Sequence, residues 1–367
     1  MESVREALLV NSAASLAIGG LLIGLVFGAI VHRTNFCTMG SISDILSFGD
    51  YKRFRAWLLA IAVSILGSQA IADLGWVNLG KSMYMAPAFN WTGNLIGGLL
   101  FGFGMVFAGG CASRNLVRAG GGDLRSLIVL IIVGIFAYMT IGGLIGPLRA
   151  ELQSATQIDL AGPLSIPDQG MGSILGALTG ISSSAARWAL AVVIAGAFIA
   201  YCFKDEGFRK SPSNIVAGIG IGGCVIAGWA LTGLAFDEFA DRAQDPISLT
   251  YVRPVGDATE YLMRFTAGMI PGVGVATVFG ALLGAFLSAL AKGSFQVTTF
   301  ADKGDTLRNL SGAALMGIGG VMALGCTIGQ AITGMSTLAI GSLVTFVAIV
   351  IGGVLGVKAL ERILLAG

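Results

Sequence analysis

Asn94-Leu-Ile-Gly-Gly-Leu-Leu-Phe-Gly-Phe-Gly-Met-Val-Phe-Ala-Gly-Gly-Cys111 aligns without a gap on Asn309-Leu-Ser-Gly-Ala-Ala-Leu-Met-Gly-Ile-Gly-Gly-Val-Met-Ala-Leu-Gly-Cys326. Ten of the eighteen positions are identical, both ends included. Each stretch is apolar, rich in glycine and about as long as one membrane helix. Two such copies in one chain are the mark of an internal repeat, an architecture in which small-ligand sites lie where the repeats meet. The paired cysteines are therefore the first candidates for a site.

The rest of the chain agrees with a membrane assignment. It is 55% hydrophobic and 11% charged, with mean hydropathy +0.85, against roughly 25% charged residues in a soluble domain. The net charge of +2 gives no footprint for nucleic acid. A single histidine, His32, excludes a histidine-based metal cluster, and neither metal nor cofactor is expected. The first apolar run lacks a signal-peptide layout and is long enough to span. The 56 glycines lie within the apolar runs, as close helix–helix packing requires.

Nine spanning helices are expected, near residues 12–31, 54–74, 93–110, 124–146, 187–203, 213–235, 263–291, 308–325 and 337–357. Pro271 would kink the seventh early in its course. The loops sort by charge. Loops 32–53, 111–123, 204–212 and 292–307 and the C-terminal tail hold most of the lysines and arginines. Loop 75–92 holds only Lys81, and 326–336 holds no charge. Residues 236–262 are acidic overall, with Asp237, Glu238, Asp241, Asp245, Asp257 and Glu260 against Arg242 and Arg253. The positive-inside rule then puts the N-terminus outside and the C-terminus in the cytoplasm. On that topology the helix ending at Cys111 and the helix ending at Cys326 run in opposite directions. The fold class expected is an all-α membrane protein with an inverted internal repeat. Its halves lie at roughly 12–146 and 213–357, linked by 147–212, in one transport domain. Gly24–His32 also resembles Gly284–Lys292, which extends the symmetry weakly and sets Gln296 near the mirror position of Cys37. The outer loop 147–186 carries Pro147, Pro163 and Pro167, and its apolar stretch 172–180 is short enough to dip into the membrane.

Three cysteines share one context: a spanning helix ends, small or polar residues follow, and an apolar segment too short to span begins. They are Cys37 in Asn35-Phe-Cys37-Thr38, Cys111 in Gly110-Cys111-Ala-Ser-Arg114-Asn115, and Cys326 in Gly325-Cys326-Thr327-Ile-Gly329-Gln330. The segments after them, 41–48, 112–120 and 327–334, are expected to be re-entrant half-helices, tolerated at membrane depth only under protein or around a water-filled cavity. Their N-termini present free N–H groups that attract anions. Hard oxyanions call for arginine, lysine and N–H donors. A thiol is a weak, polarizable donor that suits a ligand with a soft atom such as sulfur. Cu(I) is also soft, although the methionines form no cluster. A thiol–disulfide redox protein is a third reading, disfavoured by the absence of CxxC. Cys202 and Cys224 lie inside apolar runs and read as small buried hydrophobes. Gly75–Ser82 matches the phosphate-loop pattern but joins two membrane helices, without the strand and helix such a loop needs.

Gly110-Cys111-Ala-Ser-Arg114-Asn-Leu116, Gly325-Cys326-Thr327-Ile-Gly329-Gln330 with Gly334 and Ser336, and Asn35-Phe-Cys37-Thr38 resemble the signatures of the YeeE/YedE sulfur-transport family. The resemblance implies an hourglass-shaped fold of nine spanning helices and several half-helices. It also implies thiosulfate uptake across the bacterial inner (plasma) membrane, with Cys37, Cys111 and Cys326 as ligand contacts rather than catalysts. Other soft species, such as a selenium compound, remain open as cargo. A cytoplasmic TusA-like sulfurtransferase is the implied partner, besides the lipid bilayer. No such domain is expected within this chain, which stops at Gly367 just after its last apolar run. Asn35, Arg114, Asn115, Thr327 and Gln330 join the candidate site for their polarity beside the thiols.

Overall fold

The computed structural model describes residues 5–6, 8–9, 11–162, 166–236 and 244–366. Pro163, Asp237, Glu238, Asp241 and Arg242 lie outside the described residues. The α-helices longer than one turn are α1 (Ser12–Thr34), α2 (Thr38–Phe48), α3 (Lys52–Asp73), α4 (Trp91–Phe107), α5 (Ala112–Gly120), α6 (Leu124–Ile141), α7 (Gly146–Thr156), α8 (Met171–Thr179), α9 (Ser183–Lys204), α10 (Pro212–Leu234), α11 (Val252–Met263), α12 (Val273–Lys292), α13 (Lys303–Met322) and α14 (Ile340–Ala366). A π-helical segment, Thr327–Gly334, lies between the last two. Two-residue strands at Ala88–Phe89 and Ile158–Asp159 pair antiparallel. Among the described residues nine helical stretches are long and apolar enough to cross a membrane, and they fall on the nine expected spans. The chain is a multi-pass, all-α membrane protein.

The seventh span differs from expectation. Pro271 precedes α12 instead of kinking it, and 252–263 forms a separate helix. Proline disfavours helical backbone at the residue before it, and 268–272 is accordingly non-helical. The stretch 124–146 likewise divides, with α6 ending at Ile141 and α7 starting at Gly146.

Glycines set the distances between helices. α4 and α13 run antiparallel: a Cβ on Gly104 would lie 2.6 Å from the Gly312 carbonyl oxygen, and one on Gly97 would lie 2.6 Å from that of Gly319. Backbones this close are reached only where side chains are absent. α14 packs on α4 much as α6 packs on α13. Gly102 of α4 lies against Ile349, and Gly317 of α13 lies against Val133. Residue numbers in the two sets differ by 215 or 216, so the inverted relation covers 94–141 and 309–357. It does not make α1 and α12 copies of each other. Gly20, Gly24 and Gly28 meet Val273, Thr277 and Ala281 in ascending order, so these helices run parallel. Inverted copies must run opposite ways. The likeness of 24–32 to 284–292 is therefore a shared packing pattern and not part of the inversion.

The two loop sets stay apart. Gln296 and Thr298 bond the backbone of Gly121 and Gly122, and Arg55 pairs with Asp205, all within the basic set. Asp73 accepts from Arg187 and Trp188, and Ile340 bonds Gln169, all within the other. The chain thus presents one basic face and one face poor in lysine and arginine.

Gly312→Leu should lower the melting temperature of the detergent-solubilised protein, by about 1–3 kcal/mol or more of stability, because the α4 backbone has nowhere to move. Gly196→Leu is the control, since a Cβ there meets nothing within 4 Å. Equal melting temperatures for the two variants would refute close packing at α4–α13.

Candidate functional site

The two copies break in the same way, bond for bond. After α4, Gly109 and Gly110 adopt φ of 69° and 155°; after α13, Leu324 and Gly325 adopt 60° and 159°. The Gly110 N–H donates to Met105 O at 2.8 Å and the Gly325 N–H to Gly320 O at 2.7 Å. Gly110 and Gly325 stand where other residues are strained. Leu324 stands where its copy has glycine, in a conformation that costs roughly 1–2 kcal/mol in an L-residue. Asn35, two residues before Cys37, also has a left-handed φ, 54°. A left-handed residue thus lies two positions before each of the three cysteines.

Each cysteine occupies the position just before the helix that follows, and two of the thiols cap it. Cys37 Sγ accepts from the Gly40 N–H and Cys326 Sγ from the Gly329 N–H, both at 3.4 Å. Cys111 Sγ lies 3.3 Å from Ser113 Oγ. All three are free thiols and buried, as are Cys202 and Cys224. Cys111 lies close enough to Cys37 and to Cys326 for charge on one to be felt at the other. The expected half-helices are present at 38–48, 112–120 and 327–334. The third is π-helical, and all eight of its residues are buried.

Asn115 and Gln330 occupy equivalent positions and hold the breaks together. The Asn115 amide donates to Gly110 O at 2.7 Å and to Ala108 O at 3.5 Å, and the Gln330 amide donates to Ala323 O. Ser126 Oγ donates to Asn115 Oδ1 at 3.0 Å, and Ser342 Oγ to Gln330 Oε1 at 2.6 Å. These amides reclaim carbonyls freed where the spanning helix stops. Both side chains are engaged on the amide N–H and the carbonyl side, which makes them braces of the site more than free donors.

Charge distinguishes the two breaks. Arg114 donates to Asn35 Oδ1 at 3.0 Å and lies within electrostatic reach of Cys37 and Cys111. Arg118 donates to Gly109 O at 2.9 Å and pairs with Asp123 at 2.7 Å. Around Cys326 the polar groups are neutral. The Thr327 hydroxyl is buried without a partner, as is that of Thr38 after Cys37. Beside this break lies a cavity of about 640 Å³, lined by Leu324 and Gly325, by 247–250 of the chain leading into α11, and by Arg149, Arg253 and Asp257. The candidates therefore fall into two groups. Asn35, Cys37, Cys111, Arg114 and Asn115 form one, and Thr327, Cys326 and Gln330 form the other. Two buried hydroxyls near Cys326, on Tyr84 and Tyr251, lay beyond sequence reasoning. Tyr84 sits in what reads as a plain outer loop, and no motif marks either residue.

A model of a family described as sulphur transport matches residues 33–355. The chain belongs to the sulphur transport family. This family member is 28% identical over 357 residues to the thiosulfate transporter TsuA of Spirochaeta thermophila, covering 91% of this chain and 96% of that protein. It is 28% identical over 337 residues to the thiosulfate transporter TsuA of Escherichia coli, covering 86% of each. The probable transporter YedE of Salmonella typhimurium is 34% identical over 107 residues, which is 29% of this chain and 24% of that one. The expectation of a transporter in the YeeE/YedE family stands, and the family's activity is transport, not catalysis.

Ser342→Ala strands the buried Gln330 carbonyl oxygen, and Ser126→Ala does the same to Asn115. Each variant should lose roughly 1–3 kcal/mol, read as a lower melting temperature in detergent. An unchanged melting temperature in both would show that the amide braces do not hold the breaks.

Proposed function

We propose that this family member takes up thiosulfate along a path past Cys326, Cys111 and Cys37, by hydrogen bonding and without covalent chemistry. The observation that carries this is the common construction of the three stations. Each is a buried thiol at the start of an internal helix, and Cys111 lies within electrostatic reach of both others. Thiosulfate joins a soft terminal sulfur to a sulfonate-like end. Thiols suit the first, and helix N-termini suit the second. Arg114, held by Asn35, adds a guanidinium beside the Cys37–Cys111 pair, and Thr327 adds a hydroxyl beside Cys326. Asn115 and Gln330 shape the stations by holding the breaks. Resemblance over nearly the whole length to two proteins named as thiosulfate transporters favours this cargo. The halves near 12–146 and 213–357, linked by 147–212, form one transport domain.

The proposed orientation places the basic face in the cytoplasm of a bacterial inner membrane, with the N-terminus outside. A divalent anion moving inward is then opposed by about 2.3 kcal/mol per charge per 100 mV. Uptake needs coupling to another ion or consumption of the cargo. A cytoplasmic TusA-like sulfurtransferase that consumes the ion at the basic face would supply the second.

Replacing Cys37, Cys111 or Cys326 by alanine should cut radiolabelled thiosulfate uptake into proteoliposomes at least about tenfold, the effect of losing about 1.4 kcal/mol of binding. Cys202→Ala and Cys224→Ala should transport nearly as well as the parent. Undiminished uptake in all three site variants would remove the thiols from the mechanism.

A further inference from the structure

Three buried hydroxyls near Cys326 have no hydrogen-bond partner among the described residues: those of Tyr84, Tyr251 and Thr327. Their residues are 2%, 0% and 0% exposed. They come from three separate segments: the link between α3 and α4, the residue before α11, and the π-helix. Leaving one buried hydroxyl unpaired costs about 1–3 kcal/mol, and such groups in native proteins call for an explanation. Packing does not supply one here. Phenylalanine would fill either tyrosine site equally well, with Tyr251 against the Phe27 ring at 5.0 Å and Tyr84 edge-on to Trp229 at 6.4 Å.

The three hydroxyls share one neighbourhood. Gly329, whose N–H reaches Cys326 Sγ, lies under the Tyr84 hydroxyl: a Cβ there would be 3.5 Å from Tyr84 Oη and 2.5 Å from Thr250 Oγ1. Thr327 follows Cys326 directly. The Tyr251 backbone N–H reaches the Cys326 thiol, and its ring hydroxyl lies within electrostatic reach of Cys224 and then of Cys326. Thr250 and Gly325, the sequence neighbours of Tyr251 and Cys326, line the 640 Å³ cavity, so open space begins one residue from the cluster. The copy of this region at Cys111 has no such surplus. Ala112 stands where Thr327 does, and Ser113 already contacts the thiol.

We infer that the hydroxyls of Tyr84, Tyr251 and Thr327 form a charge-free receptor for the oxygen-bearing end of the transported anion, with Cys326 meeting its sulfur. Hydroxyl-to-anion hydrogen bonds are short and strong when desolvated. Neutral donors bind a dianion without trapping it as an arginine cluster would, and the guanidinium of Arg114 waits at the next station. The inference rests on the thiosulfate reading above and adds Tyr84 and Tyr251, which that reading does not use.

The test compares Tyr84→Phe, Tyr251→Phe and Thr327→Val with the unmodified full chain in detergent, measuring melting temperature with and without sodium thiosulfate. A hydroxyl that serves only the ligand is idle in the empty protein, so the variants should melt at or above the parent temperature without thiosulfate. With thiosulfate the stabilisation follows ligand occupancy and should shrink, as the dissociation constant rises about tenfold or more per hydroxyl. Thr327→Ser should recover the parent behaviour. A parent shift retained in full by all three variants would overturn the hydroxyl assignment alone. Absence of any thiosulfate-dependent shift or uptake in the parent would overturn the transport reading, and this inference with it.

Discussion

A helix cannot stop inside a bilayer without stranding its last carbonyls and the first N–H groups of the next segment, because no water is there to take them. The structure around the three cysteines follows from that constraint. At two of the breaks a side-chain amide, Asn115 or Gln330, turns back onto the carbonyl of Ala108 or Ala323. A serine from the following helix then satisfies the amide oxygen. Glycine at 110 and 325 lets the chain reverse, and the cysteine accepts or faces the donors of the new helix start. At Cys37 and Cys326 the thiol is a small acceptor that caps the new helix.

The inverted relation turns one solution into two, and departures from symmetry give each station its character. Arg114, Arg118 and Asp123 surround the Cys111 break with charge. At Cys326 the equivalent space holds threonine, tyrosine and a fully buried π-helix. Facing glycines bring α4 and α13 into close antiparallel contact, which sets the two breaks toward opposite ends of the pair.

Much of this was legible beforehand. Nine apolar runs, the charge sorting of the loops and the half-helices after each cysteine are all properties of composition over about 10–20 residues, and each appears in the fold. Local signals misled at Pro271, which starts a helix and does not bend one, and at 24–32, whose likeness to 284–292 reflects glycine packing between parallel helices. Asn115 and Gln330 drew attention for their polarity, yet the structure spends that polarity on the backbone. A residue type says that a hydrogen bond must be made; it does not say with whom.

The sequence alone determined which segments are apolar and long enough to cross a membrane, that two of its segments are copies, and which three cysteines stand at helix breaks. Those features rest on hydrophobic length, loop charge and repetition, all readable along the chain. Only the tertiary structure decided which thiols lie within electrostatic reach of one another, that α1 and α12 run parallel, and that the hydroxyls of Tyr84 and Tyr251 find no partner among the described residues. These depend on contacts between residues up to more than two hundred positions apart, and no local pattern encodes which distant side chain will fill the space beside a sulfur atom.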